Sequence, residues 1–334
     1  MWGLVEGHIG PNTTIYESSS GNTATSEAYF AQLLNLSYVT VLSYSTSVSK
    51  LERIKKYGGD YIKTDLSQIF KRAKEEAKRN NGFYMNQFLN ADKAEEYHES
   101  SGFPKESTNM FHEVLLQLQD EKKNNFTFPD YFVQTSGTGG TITSVGRYIE
   151  RYTLPTKVVL ADTEFSVYYD YVVYGMFTNE TGEKLWITPG MEGTGFGYAG
   201  PVTYGVSTSL QPSVIDRALK IPDLASTAAM HFLRKKGVFG GTSTGVNFVA
   251  ALSLAAREKN NTKPIQIVTV LCDSDTLYKP TYYNETWINE KFVKHGGILT
   301  FKCWEFAIEY AYRKGIDPLE YGAKKCKRRI IQEA

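Results

Sequence analysis

The segment Ser136-Gly137-Thr138-Gly139-Gly140-Thr141 stands between an apolar, β-type run, Tyr131 to Gln134, and the start of a helical pattern. Glycines there let the backbone approach a bound group closely and aim successive N–H groups at it, while the positive end of the following helix favours an anion. Thr138 and Thr141 add hydroxyl donors. The loop lacks the Gly-Lys-Ser/Thr ending of a nucleoside triphosphate loop, and Ile142 stands where a dinucleotide fingerprint has its third glycine. A small phosphate monoester is therefore the expected ligand, with a plain glycine-rich turn as the alternative.

Around this loop the chain alternates between helical and strand patterns. Apolar residues fall at helical spacing from Ser26 to Leu36, and a β-branched run follows from Tyr38 to Tyr44. Further helices are predicted over Lys50 to Tyr57, Ser67 to Asn80, Ser144 to Tyr152, Leu224 to Lys236 and Gly245 to Glu258. Strands are predicted near Tyr84 to Gln87, Tyr131 to Gln134, Lys157 to Ala161 and Ile265 to Leu271. Alternation of this kind implies an α/β fold with parallel sheets. The charged, Asn-rich stretch Gln119 to Pro129 is the candidate junction, dividing the chain into domains over 1–125 and 126–290 and a helical tail over 291–334. The basic end Lys324-Lys325-Cys326-Lys327-Arg328-Arg329 reads as a solvated helical face.

Bulk properties narrow the function classes. With 334 residues and 41% hydrophobic content the chain supports a sizeable core. A formal net charge of +1 leaves no broad basic field for nucleic acid or an anionic membrane surface, and no stretch approaches the ~20 apolar residues of a membrane span. Chemistry on small molecules is the expectation, with no metal site. Cys272, Cys303 and Cys326 lack the number and spacing of a disulfide framework or a zinc site, so a reducing cytoplasm is expected. Asn12, Asn35, Asn125, Asn179 and Asn284 stand in Asn-x-Ser/Thr triplets, which are read as chance occurrences because Met1 to Glu6 lacks a basic region followed by an apolar stretch.

Three more glycine-containing loops are candidates for binding. Ser18-Ser19-Ser20-Gly21-Asn22-Thr23 precedes the first clear helix and offers hydroxyls, an amide and backbone donors, which suits either a carboxylate or a simple helix N-cap. Gly240-Gly241-Thr242-Ser243-Thr244-Gly245 joins an apolar stretch to a helix. A formal GxGxxG at Gly195, Gly197 and Gly200 follows Pro189-Gly190-Met191-Glu192 rather than a clear strand, so it reads as a cofactor-facing loop or a turn rather than a nicotinamide site.

Taken in order, these loops resemble those of the fold-type II pyridoxal 5'-phosphate (PLP) enzymes, specifically the cysteine synthase and cystathionine β-synthase family, over roughly residues 15–290. Ser19-Ser20-Gly21-Asn22-Thr23 is similar to the family's Thr-Ser-Gly-Asn-Thr loop, and Gln87-Phe88 to its Gln-Phe pair. Gly137 to Thr141 reproduces its Gly-Thr-Gly-Gly-Thr phosphate loop unchanged. Glu192-Gly193-Thr194-Gly195 resembles its Glu-Gly-Ile-Gly loop, Gly241 to Gly245 its Gly-x-Ser-x-Gly turn, and Asp273 to Tyr278 its Asp-Ser-Gly-x-x-Tyr segment.

The resemblance implies two three-layer α/β/α domains of the tryptophan synthase β-like kind, with mostly parallel sheets, arranged as a homodimer. It implies PLP held by Asn22, Gly137, Thr138, Gly139, Gly140, Thr141 and Ser243, with Ser243 at the pyridine nitrogen and Asn22 at the ring oxygen. The amino acid substrate would be bound by Ser19, Ser20, Thr23, Gln87 and Gly193. The implied activity is β-replacement or β-elimination on serine, O-acetylserine or cysteine with sulfide or a thiol.

The family's Schiff-base lysine lies in a Ser-x-Lys-Asp/Asn-Arg segment ahead of the asparagine loop, a position that falls before Met1 here. Lys50, in Ser47-Val48-Ser49-Lys50, follows that loop and fits the next helix, so no catalytic lysine is identified. Two alternatives to an active enzyme thus stand open: a non-catalytic PLP-binding or regulatory protein, and an incomplete gene model. Asp275 in place of the family's glycine, Phe196, and the Tyr-rich stretch from Val167 to Lys184 imply altered substrate access.

Overall fold

Every strand pairing among the described residues is parallel, and the strands form two sheets of four. The computed structural model describes residues 2–96, 109–122, 125–175, 190–197, 202–261 and 263–326. The chain divides into two compact units, one of residues 1–108 with 203–209 and the other of residues 109–202 with 210–334. The helix Met110–Lys122 and the C-terminal helices thus belong to the second unit, where the sequence placed a junction at Gln119 to Pro129 and a separate tail from 291.

The first unit runs α1 (Trp2–Val5), β1 (Ile15–Glu17), α2 (Asn22–Leu33), β2 (Tyr38–Ser43), α3 (Val48–Lys56), β3 (Asp60–Thr64), α4 (Ile69–Arg79), β4 (Phe83–Tyr84) and α5 (Gln87–Glu96). Its sheet has the order β3-β2-β1-β4. Small residues give α2 its inner face, with Ala24, Ala28 and Ala31 buried one helical turn apart. On α4 the buried positions Ile69, Ala73, Glu76 and Ala77 follow the same period. Strand β3 reads Asp-Tyr-Ile-Lys-Thr and carries no fully buried residue, which suits its place at a sheet edge and explains why no apolar run marks it.

The second unit contains α6 (Met110–Lys122), β5 (Tyr131–Gln134), α7 (Gly140–Arg151), β6 (Lys157–Thr163), α8 (Tyr168–Tyr174), β7 (Arg217–Ile221), α9 (Asp223–Lys235), α10 (Thr242–Arg257), β8 (Ile267–Thr269), α11 (Glu285–Lys291), α12 (Gly297–Lys314) and α13 (Pro318–Cys326). Its sheet has the order β7-β6-β5-β8. Strand β5 is buried on both faces, as its continuous Tyr-Phe-Val-Gln run requires. Helices α9 and α10 pack closely: a Cβ at Gly245 would lie 2.3 Å from the Ser226 carbonyl oxygen, so only glycine admits this approach. Phe301, Trp304, Ala307 and Ile308 of α12 join the same core, together with Cys326 of α13.

Two features differ from the sequence reading. The helix Pro318–Cys326 exposes Lys324 and Lys325, as expected of the basic end, but buries Cys326 along with Pro318 and Gly322, while Lys327 to Arg329 lie outside the described residues. Cys303 and Cys326 are joined in a disulfide with Cα atoms 5.6 Å apart. The bridge ties two neighbouring helices across 23 residues, a spacing that carries no recognisable motif, which is why cysteine counting missed it. No helix among the described residues is long and apolar enough to cross a membrane.

Each sheet has one point where the strand order reverses, between β1 and β4 in the first and between β5 and β8 in the second. Loops leaving the carboxyl ends of parallel strands at such points are where this class of sheet binds ligands.

The packing of α13 on α12 is directly testable. A Cβ at Gly322 would fall 1.9 Å from the Trp304 ring, which is itself 4% exposed. Gly322→Ala is expected to destabilise the protein by about 1–3 kcal/mol through overpacking, read as a lower denaturant midpoint at unchanged slope.

Candidate functional site

The loop leaving β5 runs directly into α7, and its geometry is that of an anion cradle. Gly139 caps α7 with φ +94°, a left-handed conformation that side chains resist, and a Cβ there would lie 2.2 Å from the Leu210 backbone nitrogen. A Cβ at Gly137 would meet the Gly193 carbonyl oxygen at 2.8 Å. Gly139 itself has no side chain to close this end of α7, whose positive dipole favours an anion. The Gly140 N–H donates to Thr138 Oγ1 at 3.4 Å, Tyr168 donates its hydroxyl to the Gly137 carbonyl at 2.8 Å, and the buried Ser136 Oγ has no partner among the described residues. These residues fit a phosphate monoester.

Ser243 lies in the first turn of α10, and its hydroxyl makes no hydrogen bond to any described residue. One turn further along, the wholly buried Asn247 accepts from the Thr135 N–H at 2.6 Å and donates to Gln134 Oε1 at 3.1 Å and to the Val270 carbonyl at 3.3 Å. Asn247 therefore fixes the end of β5, where the glycine loop begins, to the helix that carries Ser243. The buried Thr244 Oγ1 also lacks a partner among the described residues.

The loop around Gly193 is held in the same unit. The Gly195 N–H donates to the Ser136 carbonyl at 2.6 Å, and Thr242 Oγ1 donates to the Glu192 carbonyl at 2.6 Å. Tyr282 locks the other side, donating its hydroxyl to the Gly190 carbonyl at 2.5 Å and accepting from the Glu192 N–H at 2.9 Å. Burial pushes the Tyr282 hydroxyl's pKa well above the usual phenol range, so it stays protonated. Phe196 is buried and packs its ring against Tyr168 at 5.4 Å. Gly200, Pro189, Pro201 and residues 176–184 of the Tyr-rich stretch lie outside the described residues, as does Asn179.

The segment from Asp273 to Tyr278 closes on the serine turn. Tyr278 donates to Asp273 Oδ2 at 2.7 Å, and the Gly241 N–H donates to the Asp273 carbonyl at 3.2 Å. Asp275, which stands where the family has glycine, is buried with its carboxylate 3.5 Å from the Arg234 guanidinium. Asn247 and Tyr282 escaped the sequence reading. Asn247 stands four positions beyond Ser243, the helical spacing that would have marked it, whereas Tyr282 sits in an aromatic pair with no distinguishing pattern.

In the first unit, the loop leaving β1 carries Ser19, Ser20, Asn22 and Thr23, and the loop leaving the adjacent strand β4 leads to Gln87, the first residue of α5. The sequence placed Gln87 at a strand end; β4 stops at Tyr84. Gly21 caps α2 without any side-chain bond, so the serines are not spent on capping. Gly21 N–H donates to Ser19 Oγ at 3.4 Å, and Ser19 N–H donates to Thr40 Oγ1 at 3.3 Å. Asn22 is exposed and accepts from the Arg53 guanidinium at 3.2 Å. Beneath the loop lies Glu17, wholly buried at the end of β1. Lys50 lies on α3, in the helix the sequence assigned to it.

The structure thus gathers Gly137 to Thr141, Gly193 and Ser243 in the second unit, and Ser19, Ser20, Asn22, Thr23 and Gln87 in the first.

Comparisons with known proteins agree with this geometry. A family model described as pyridoxal-phosphate dependent enzyme matches residues 1–273. A Caenorhabditis elegans protein named as pyridoxal-phosphate dependent is 44% identical over 332 residues, covering 98% of this chain and 76% of that protein. The L-cysteine desulfhydrase of Mycobacterium tuberculosis is 32% identical over 301 residues, covering 89% of this chain and 76% of that enzyme. The crystal structure of a hydrogen sulfide-producing enzyme from Fusobacterium nucleatum superposes with a TM-score of 0.66 at 21% identity, covering 87% of this chain and 79% of that one, so the two share a fold. The fold is that of the fold-type II enzymes and the cofactor is pyridoxal phosphate. With a phosphate cradle, a serine at the head of α10, a family model over residues 1–273 and these relatives, the chain belongs to the family of pyridoxal-phosphate dependent enzymes.

Proposed function

We propose that the chain catalyses PLP-dependent β-elimination from L-cysteine, giving sulfide, pyruvate and ammonia, with β-replacement on serine or O-acetylserine by sulfide or a thiol as the neighbouring reaction. The observation that carries this reading is the junction of the glycine cradle with Ser243 through Asn247, which offers phosphate donors and a free hydroxyl from one rigid assembly. The 32% identity to an L-cysteine desulfhydrase supports elimination over replacement.

Bound PLP supplies an electron sink for the pair left behind when the Cα proton departs. The N–H groups from Gly137 to Thr141 would hold its phosphate, with the threonine hydroxyls as further donors. Ser243 would donate to the ring nitrogen; a serine there would not protonate that nitrogen as an aspartate would, which would moderate charge build-up and suit loss of a β-substituent. By the family resemblance, Ser19, Ser20, Thr23 and Gln87 would take the substrate carboxylate and orient the Cα–H bond, Asn22 would contact the ring oxygen, and Gly193 would contact the substrate. A homodimer belongs to this reading on the strength of the family resemblance.

A second reading is a PLP-binding member without turnover. The two separate in a single assay. The PLP-loaded protein given L-cysteine is expected to release sulfide and pyruvate in equal amounts, or cysteine from O-acetylserine and sulfide; retained PLP binding with neither product would establish the second reading.

The cradle is tested apart from turnover. Gly139→Ala places a side chain against Leu210 in a left-handed backbone and is expected to weaken PLP binding about tenfold or more, measured by fluorescence titration. Unchanged affinity would move the phosphate elsewhere.

A further inference from the structure

The carboxylate of Glu17 is wholly buried, and hydrogen bonds reach both of its oxygens from two different loops. Oε1 accepts from the Ser18 N–H at 2.6 Å and from Ser18 Oγ at 3.1 Å. Oε2 accepts from the Gln87 N–H at 3.0 Å. Ser18 begins the loop that carries Ser19, Ser20 and Thr23, while Gln87 begins α5, so one side chain ties together the exits of two adjacent strands, β1 and β4. Those exits carry the residues assigned above to the substrate carboxylate. We propose that Glu17 is a positioning residue that clasps the two arms of the amino acid site and makes carboxylate binding there depend on its own protonation. This inference rests on the functional reading given above.

The chemistry follows from what faces Glu17. Tyr84 of β4 reaches Ser18 Oγ at 2.6 Å, and Tyr38 of β2 donates to Glu27 Oε2 at 3.1 Å. Glu27 of α2 lies close enough that its charge and that of Glu17 repel. The groups around Glu17 are thus a second carboxyl and two phenols, and burial pushes its pKa up to about 7 against the pull of the three donors. Both tyrosines are held above the usual phenol range, chiefly by burial, and stay neutral.

The sign then follows. A carboxyl titrating near 7 is neutral below that pH and anionic above it. An incoming substrate carboxylate is repelled by the anionic form and not by the neutral one, so amino acid affinity falls as pH rises through about 7. One proton is involved, so the fall is no steeper than about tenfold per pH unit.

The test is calorimetric titration of the PLP-loaded protein with L-alanine, which has no leaving group at its β-carbon, between pH 6 and pH 8. Glu17→Gln keeps one acceptor oxygen and turns the other into a donor facing an N–H, so one arm of the clasp is lost. The expected result is about tenfold weaker L-alanine binding at pH 6, a flattened pH dependence, and PLP affinity within twofold of the parent. Ser18→Ala removes a single donor and is expected to weaken L-alanine binding about threefold with the pH dependence retained; it decides the matter if Glu17→Gln does not fold. Unaltered L-alanine affinity in the variants, or equal losses of L-alanine and PLP affinity, would overturn the clasp while leaving the functional reading intact. A parent protein that holds PLP but binds no amino acid at any pH would overturn both.

Discussion

Three hydrogen bonds from one amide hold the second unit's chemistry in place. The Asn247 side chain accepts from Thr135 and donates to Gln134 and to the Val270 carbonyl, so it touches β5 and the exit of β8, the two neighbouring strands between which the order of the sheet reverses. Parallel strands on either side of such a point send their chains away in opposite directions, which opens a gap at their carboxyl ends. An amide spanning that gap from a helix has both a donor and an acceptor, so it satisfies backbone groups on both sides at once. Because Asn247 is one helical turn from Ser243, the same bonds that close the gap fix the serine relative to the glycine loop.

The first unit solves the same geometric problem with a carboxyl group. There the reversal lies between β1 and β4, and Glu17 receives N–H groups from both exits. An amide offers one acceptor and stays neutral; a carboxyl offers two and carries a titratable charge into a dry site. The two halves of the chain thus share a topology but differ in their sensitivity to protons.

Much of this was legible in the sequence where local chemistry and fold coincide. Strand β5 was read to the residue because a fully buried strand is apolar without interruption, and the glycine loop because positive φ and close approach both exclude side chains. Strands β3 and β7 left no such mark: as sheet edges they mix Asp, Lys and Arg with apolar residues. Strand β1 is three residues long and ends in a glutamate, which no hydrophobic pattern would place in a core. The same rule that makes buried charge rare made Glu17 invisible until its partners were seen. Gln87 shows a boundary effect, since the strand stops at Tyr84, three residues before its predicted end, and the glutamine begins a helix instead.

The bridge between Cys303 and Cys326 bears on how this protein comes apart. Helices ordinarily fray from their ends, each turn opening with little resistance from the next. Here the last turn of α13 is fastened to the middle of α12, inside the core that Trp304 and Phe301 share with α9. Opening α13 from that end therefore requires disturbing the centre of the unit, so its slow-exchanging amides should report global unfolding rather than local breathing.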